Sequence, residues 1–283
     1  MGTNPMMPRP DEATGRRTRR KLLPCDLYVP GHLVHYIQAK RAALGDDPVS
    51  WGRLDRVDSN GVITVEFLDR VERYWNHRPE EIHSIESGKD RTDFWHTDIT
   101  FMNRPAMASM LRSVVVPEAG GDTMWADTRA AYDRLAEPLQ RLCDELSAYH
   151  YEPYYAQMVA EGHGNVWEGK KLERLLPALH PVVRLHPETG RKNLFVNPKF
   201  TFRMKDMPES QGDALLQLLY DHMTNPAFVV RYHWKAGTLA FWDNRATMHF
   251  GIFDYEGERR VMHRVTLRGE RPVGPGEVES TST

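Results

Sequence analysis

Short apolar runs and strict polar–apolar alternation dominate the chain from residue 93 onward, and they predict strands rather than helices. "DFWHTDITF" (93–101) is rich in aromatic and β-branched residues and reads as a strand, as does "SMLRSVVVP" (109–117). "EAGGDTMWAD" (118–127) reads as a Gly-rich turn entering a short strand, and "HPVVRLHPETGRKNLFVN" (180–197) as strand, turn and strand about Thr189-Gly190. "FVVRYHW", "GTLAFWD" and "RRVMHRVTLRG" add three more β segments near the end. Two stretches carry helical spacing instead. One opens at Thr128 and places Tyr132, Leu135, Leu139, Leu142 and Leu146 on a single stripe. The other is "ESQGDALLQLLYDHM", with Leu215, Leu219 and His222 or Met223 on one face. Residues 150–178 read as a loop with some helix, in the position of a lid.

Upstream the pattern is weaker. Residues 1–24 are rich in Pro, Arg and Gly and predict a flexible basic tail. In residues 25–79, Asn60-Gly61 followed by Val62 to Phe67 suggests a hairpin. Residues 273–283, rich in Gly, Pro, Ser and Thr, predict a flexible tail. Many strands with two interrupting helices point to a mostly β fold, a sandwich or jelly-roll barrel decorated by α-helices.

Composition narrows the function classes. The 283 residues are 40% hydrophobic and 27% charged, the profile of a soluble globular protein. A net charge of −2 gives no field that favours nucleic acid or an anionic membrane. No apolar run is long enough for a membrane span, and "RRTRRKLLPC" lacks the apolar core of an export signal. Cys25 and Cys143 are the only cysteines, so neither a disulfide framework nor a zinc spacing exists, and a cytoplasmic location is expected.

The candidate chemistry begins in the strand-like run. On a strand, His96 and Asp98 would project to one side. Imidazole and carboxylate together suit a borderline divalent ion, and two His plus one carboxylate is the facial arrangement of non-haem Fe(II) oxygenases. The pair alone is weak, because "HYE" (150–152) and "HPE" (186–188) repeat the same spacing. A lone His-x-acid pair is more often a hydrogen-bonded couple. Far downstream stand His249 and then Arg260 and Arg264, which share one face of "RRVMHRVTL". Two inward arginines suit anions such as carboxylate, sulfonate or sulfate, and an exposed face meeting surface acids is the alternative.

"WHTDITF", "GGDTMWADTRAAYDRL", "LHPVVRLHPETG", "FVNPKFT", "WDNRATMH" and "RRVMHRVTLRGE" together, in this order, resemble the TauD/TfdA family of Fe(II)/2-oxoglutarate-dependent dioxygenases. The resemblance spans residues 80–272 and implies a double-stranded β-helix domain over that range. It implies that His96, Asp98 and His249 are the Fe(II) ligands and that Thr123 and Arg260 hold the far carboxylate of 2-oxoglutarate. It also places Arg264 on the substrate's anionic group, Phe200 in the pocket wall, and Ile99 where its backbone meets substrate, with Trp242 and Asn244 in supporting positions. With O2 as the second cosubstrate, the implied reaction hydroxylates a small anionic organic molecule and releases succinate and CO2. A sulfonate such as taurine, an alkyl sulfate or an aryloxyalkanoate would then collapse to a carbonyl product. A homo-oligomer, dimer or tetramer, is compatible with the resemblance. Residues 1 to about 78 carry none of the quoted blocks, and neither Tyr74 nor His77 aligns with the upstream Tyr and His of family members that bind taurine. A truncated or inactive homologue, acting as a metal-binding jelly roll, is the alternative function.

Overall fold

A computed structural model describes residues 83–87, 92–162, 166–167, 170–171, 174–277 and 281–282. The basic tail, the expected hairpin at Asn60-Gly61, and Cys25, Tyr74 and His77 lie outside the described residues.

The first strands in chain order are β1 (His83–Glu86), β2 (Ala106–Val115), β3 (Thr123–Asp127) and β4 (Ser147–His150). Two two-residue strands follow, β5 (Val166–Trp167) and β6 (Lys170–Lys171), then β7 (Ala178–Pro181), β8 (Val183–Leu185), β9 (Lys192–Leu194) and β10 (Thr201–Met204). The last are β11 (Val229–Tyr232), β12 (Leu239–Asp243), β13 (Thr247–Gly251), β14 (Val261–Arg268) and β15 (Thr281–Ser282). The pairs are antiparallel. One sheet runs β1-β14-β2-β12, a second β11-β3-β13, a third β10-β4-β7-β15. Leu111, Trp234, Trp242 and Met262 fill the space between the first two sheets, with Ile85, Trp125 and Tyr232 against them. This double layer is the jelly roll that the strand-rich pattern predicts. β2 lies inside its sheet and is buried on both faces, so it reads as a nearly continuous apolar run rather than an alternation.

The helices are α1 (Thr128–Asp133), α2 (Glu137–Glu145), α3 (Pro153–Ala160) and α4 (Glu209–Met223). Among the described residues, no helix is long and apolar enough to cross a membrane.

Several expectations are corrected. The single helix expected from Thr128 is two, because Pro138 lacks an amide donor and restricts the residue before it, so a new helix starts at Glu137. The stripe therefore splits: Tyr132 and Leu135 are core, Leu142 is exposed, and Cys143 is the buried residue of α2. In α4 the buried face is Gly212, Leu216, Leu219 and Met223, one residue around from the expected Leu215. β13, which carries His249, was not among the expected strands. "DFWHTDITF" is not a strand: only His96 forms a bridge, and Asp98 to Phe101 turn. Among the described residues beyond Pro272, Val273, Gly274, Thr281 and Ser282 engage the strands. Leu185 N–H donates to Val273 O at 2.7 Å, Gly274 is buried, and β15 pairs with β7.

Candidate active site

His96 and His249 exchange both backbone hydrogen bonds, His96 N to His249 O at 3.0 Å and the reverse at 2.8 Å. Residues paired this way across antiparallel chains send their side chains out on the same face, side by side. Their ring centroids stand 4.0 Å apart. The chain then reverses. Thr97 Oγ1 donates to Thr247 O at 2.9 Å, Ile99 takes φ 48°, and Met102 N donates to Ile99 O at 3.0 Å. A left-handed β-branched residue is strained by about 1 kcal/mol or more, and such strain concentrates at functional sites. The reversal brings Asp98 Oδ1 to 3.7 Å from the Nε2 atoms of both histidines. So the two residues of the opening motif do converge, through a turn instead of strand alternation.

Burial sets the protonation. It lowers the His96 pKa, against the pull of the Asp98 charge, and lowers that of His249 to about 3 with His96 contributing next. Both imidazoles are therefore neutral at pH 7. His96 Nδ1–H donates to Phe94 O at 3.0 Å, which leaves a lone pair on the Nε2 that faces Asp98. Burial alone would raise the Asp98 pKa, but Arg264, then His249 and His96, and a hydrogen bond from Ser109 outweigh it and hold the carboxyl well below the usual range. Asp98 Oδ2 accepts from Ser109 Oγ at 2.6 Å and from Asn244 Nδ2 at 3.2 Å. The Nε2 lone pair of His96 and a carboxylate oxygen of Asp98 thus turn toward one buried point. The neutral His249 ring joins them with an Nδ1 that has no hydrogen-bond partner among the described residues, and one ligand atom from each of the three lies within 4.8 Å of the others. Lone pairs that face each other repel unless a cation sits between them, and this donor set suits Fe(II). The residues fit the ion.

Of the remaining expected residues, Arg264 and Phe200 meet this group directly. Arg264 Nη1 lies 3.3 Å from Asp98 Oδ1. Phe200 meets the His96 ring edge-on at 6.1 Å and shares an apolar cluster with Phe101, Met102 and Leu175, against which Ile99 packs. Thr123 begins β3, the strand paired with β13, and its Oγ1 accepts from Trp234 Nε1 at 2.9 Å. Arg260 Nε donates to Gly121 O at 3.1 Å, two residues before Thr123. A Cβ on Gly121, at φ 70°, would come within 3.0 Å of Arg260 Cδ, so only glycine admits this approach. Ser109, the Phe94 carbonyl and Gly121 are the participants that sequence reasoning missed. Of these, only the Gly-Gly pair left a visible signal.

The family model described as "Taurine catabolism dioxygenase TauD, TfdA family" matches residues 54–266. The chain belongs to the TauD/TfdA family. The match begins upstream of residue 80, where the quoted blocks start. Among relatives, the chain is 42% identical over 201 residues to an "Alpha-ketoglutarate-dependent sulfate ester dioxygenase" of Pseudomonas putida, covering 68% of this chain and 65% of that one. It is 37% identical to an "Alkylsulfatase" of Acinetobacter baylyi, covering 68% and 62%. The chain thus spans slightly less than two thirds of the length of these two TauD/TfdA relatives. A crystal structure of a taurine dioxygenase from Burkholderia xenovorans superposes with a TM-score of 0.64 at 34% identity, covering 78% of this chain and 79% of that one.

Proposed function

We propose that this chain is an Fe(II)- and 2-oxoglutarate-dependent dioxygenase that hydroxylates a small anionic organic substrate, with O2 as cosubstrate and succinate and CO2 as products. The observation that carries the reading is the buried convergence of His96, Asp98 and His249 with a guanidinium, Arg264, 3.3 Å from Asp98. His96, Asp98 and His249 would hold Fe(II), which when bound supplies the O2 chemistry. Arg260 and Thr123 would hold the far carboxylate of 2-oxoglutarate. Arg264 would take the substrate's anionic group and so set its distance from the metal ligands, as a planar fork suited to sulfate, sulfonate or carboxylate. Phe200 and Ile99 would wall the substrate and exclude water. Sulfate esters lead the substrate classes, because the 42% identical relative bears that name; sulfonates such as taurine and aryloxyalkanoates follow. The reading carries a cytoplasmic location and a dimer or tetramer, checked by cell fractionation and light scattering.

The test is succinate release from 2-oxoglutarate under air across alkyl sulfates, sulfonates and aryloxyacetates. Substrate-dependent succinate from one class supports the proposal. Absence of turnover with every class, together with no charge-transfer band on anaerobic addition of Fe(II) and 2-oxoglutarate, would leave a non-catalytic jelly roll.

A further inference from the structure

We infer that Asn244, held by Trp242, and Ser109 together select which oxygen of Asp98 is presented to the metal. The inference rests on reading His96, Asp98 and His249 as the Fe(II) ligands.

The donor directions in this group are forced. The Trp242 indole N–H can only donate, and it lies 2.9 Å from Asn244 Oδ1. The amide therefore turns its oxygen to Trp242 and its NH2 the other way. That NH2 donates to Ser109 Oγ at 2.9 Å and to Asp98 Oδ2 at 3.2 Å. Ser109 accepts from Asn244 and spends its one proton on Asp98 Oδ2 at 2.6 Å. Asp98, Ser109, Trp242 and Asn244 are all buried, so these bonds do not exchange freely with solvent.

The two oxygens of Asp98 are thereby made unequal. Oδ2 accepts two hydrogen bonds from neutral, locked donors. Oδ1 faces the two histidine Nε2 atoms at 3.7 Å each, and Arg264 at 3.3 Å. A carboxylate free to rotate could ligate through either oxygen or both. With the lone pairs of Oδ2 engaged, Oδ1 is the single ligand atom. The sheet fixes the clamp in place: Trp242 pairs with Ser109 across β12 and β2, and Asn244 N–H donates to Met107 O at 2.9 Å. The Trp242 ring also packs on His249 at 4.9 Å, so one side chain supports two ligands. Asn244, Ser109 and Trp242 are positioning residues, since they act through Asp98 and His249.

The test is titration of metal-free protein with Co(II) alone, read by its visible d–d absorption. Wild type should bind one Co(II), and His96→Ala should not. Asn244→Ala and Ser109→Ala should weaken Co(II) binding by roughly 10- to 100-fold and shift the absorption band, because Asp98 then ligates through other geometries. Trp242→Phe keeps an aromatic ring beside His249 but removes the N–H together with part of the indole ring. It should weaken binding several-fold and shift the absorption band in the same direction as Asn244→Ala, a shift that lost packing alone would not produce. If circular dichroism shows either alanine variant unfolded, Trp242→Phe decides. Wild-type affinity and an unshifted band in Trp242→Phe and in folded Asn244→Ala would overturn the inference while leaving the metal site intact. No Co(II) binding by wild type, or equal binding by His96→Ala, would sink the metal-site reading and the inference with it.

Discussion

Asp243 and Asn244 are neighbours in the chain, yet they enter two buried polar clusters built in opposite ways. Behind Asp243 lies a block in which cations and acids pair with one another. Each guanidinium nitrogen of Arg245 meets an acid oxygen: Nε and Nη2 meet Asp243 at 2.8 and 2.7 Å, and Nη1 meets Glu188 at 2.8 Å. His186 stands between the same two acids, 3.0 Å from Asp243 and 3.2 Å from Glu188, and Arg184 pairs with Glu270. On the Asn244 side, His96, Asp98 and His249 converge on a common point, and Arg264 brings a charged donor to Asp98. A cluster in which each buried cation meets an acid holds a fold together, even though Arg184 Nε and Nη1 and Glu188 Oε2 have no hydrogen-bond partner among the described residues. A cluster that converges acceptors is shaped for something that is not protein.

That contrast predicts two opposite kinds of damage. The largest effect is on activity: His96→Ala should abolish substrate-dependent succinate formation while the thermal midpoint stays near that of wild type. Full turnover by the variant would end the assignment. Next is Arg245→Met, which leaves Asp243 and Glu188 buried without their cation. Breaking a buried pair from one side costs about 3–5 kcal/mol, so chemical denaturation should show a large loss of stability. Near wild-type stability in this variant would mean that the block is not structural. Arg264→Ala should have a smaller effect and a narrower one. Losing a charge-assisted contact worth about 1.5–3 kcal/mol should raise KM for the anionic substrate roughly 10- to 100-fold, with Co(II) affinity retained. A fall in kcat alone, with KM unchanged, would remove Arg264 from the substrate's anion.

Sequence reasoning found the chemistry more readily than the local geometry that presents it. Short apolar runs and alternation located β2, β11, β12 and β14, because each is a sheet strand paired along its length. It misread "DFWHTDITF", whose aromatic and β-branched residues are there because the segment is buried, not because it is extended. The Ile99 backbone that reverses the chain has no compositional signal, since a β-branched residue is among the last expected at positive φ. β13 was hidden because "TMHFG" is short and interrupted by a polar residue, His249. Ser109 could not be found at all: its role depends on the register that sets it opposite Trp242, and register is a property of the sheet.

A third buried group sharpens the comparison from the neutral side. His150 and His180 sit 4.9 Å apart by ring centroid, with His150 Nδ1 3.0 Å from Thr100 Oγ1 and His180 Nε2 2.7 Å from Thr100 O. Like the Arg245 block it is paired with its surroundings, but it has no countercharge, and burial drives both pKa values down, that of His180 to about 4. The sign follows directly. The unfolded chain takes up a proton on His180 near pH 6.5 and the folded protein does not until about 4, so stability is full above 6.5 and falls as pH drops through that window. At pH 5 the loss from this one group is about 2 kcal/mol. Urea unfolding at pH 7.5 and pH 5 should therefore show a smaller loss of stability on acidification in His180→Gln than in wild type, since the amide retains a donor for Thr100 O and does not titrate. The same loss in both proteins would show that His180 protonates equally in the folded and unfolded states, and that the cluster near Thr100 is more open to water than its burial implies.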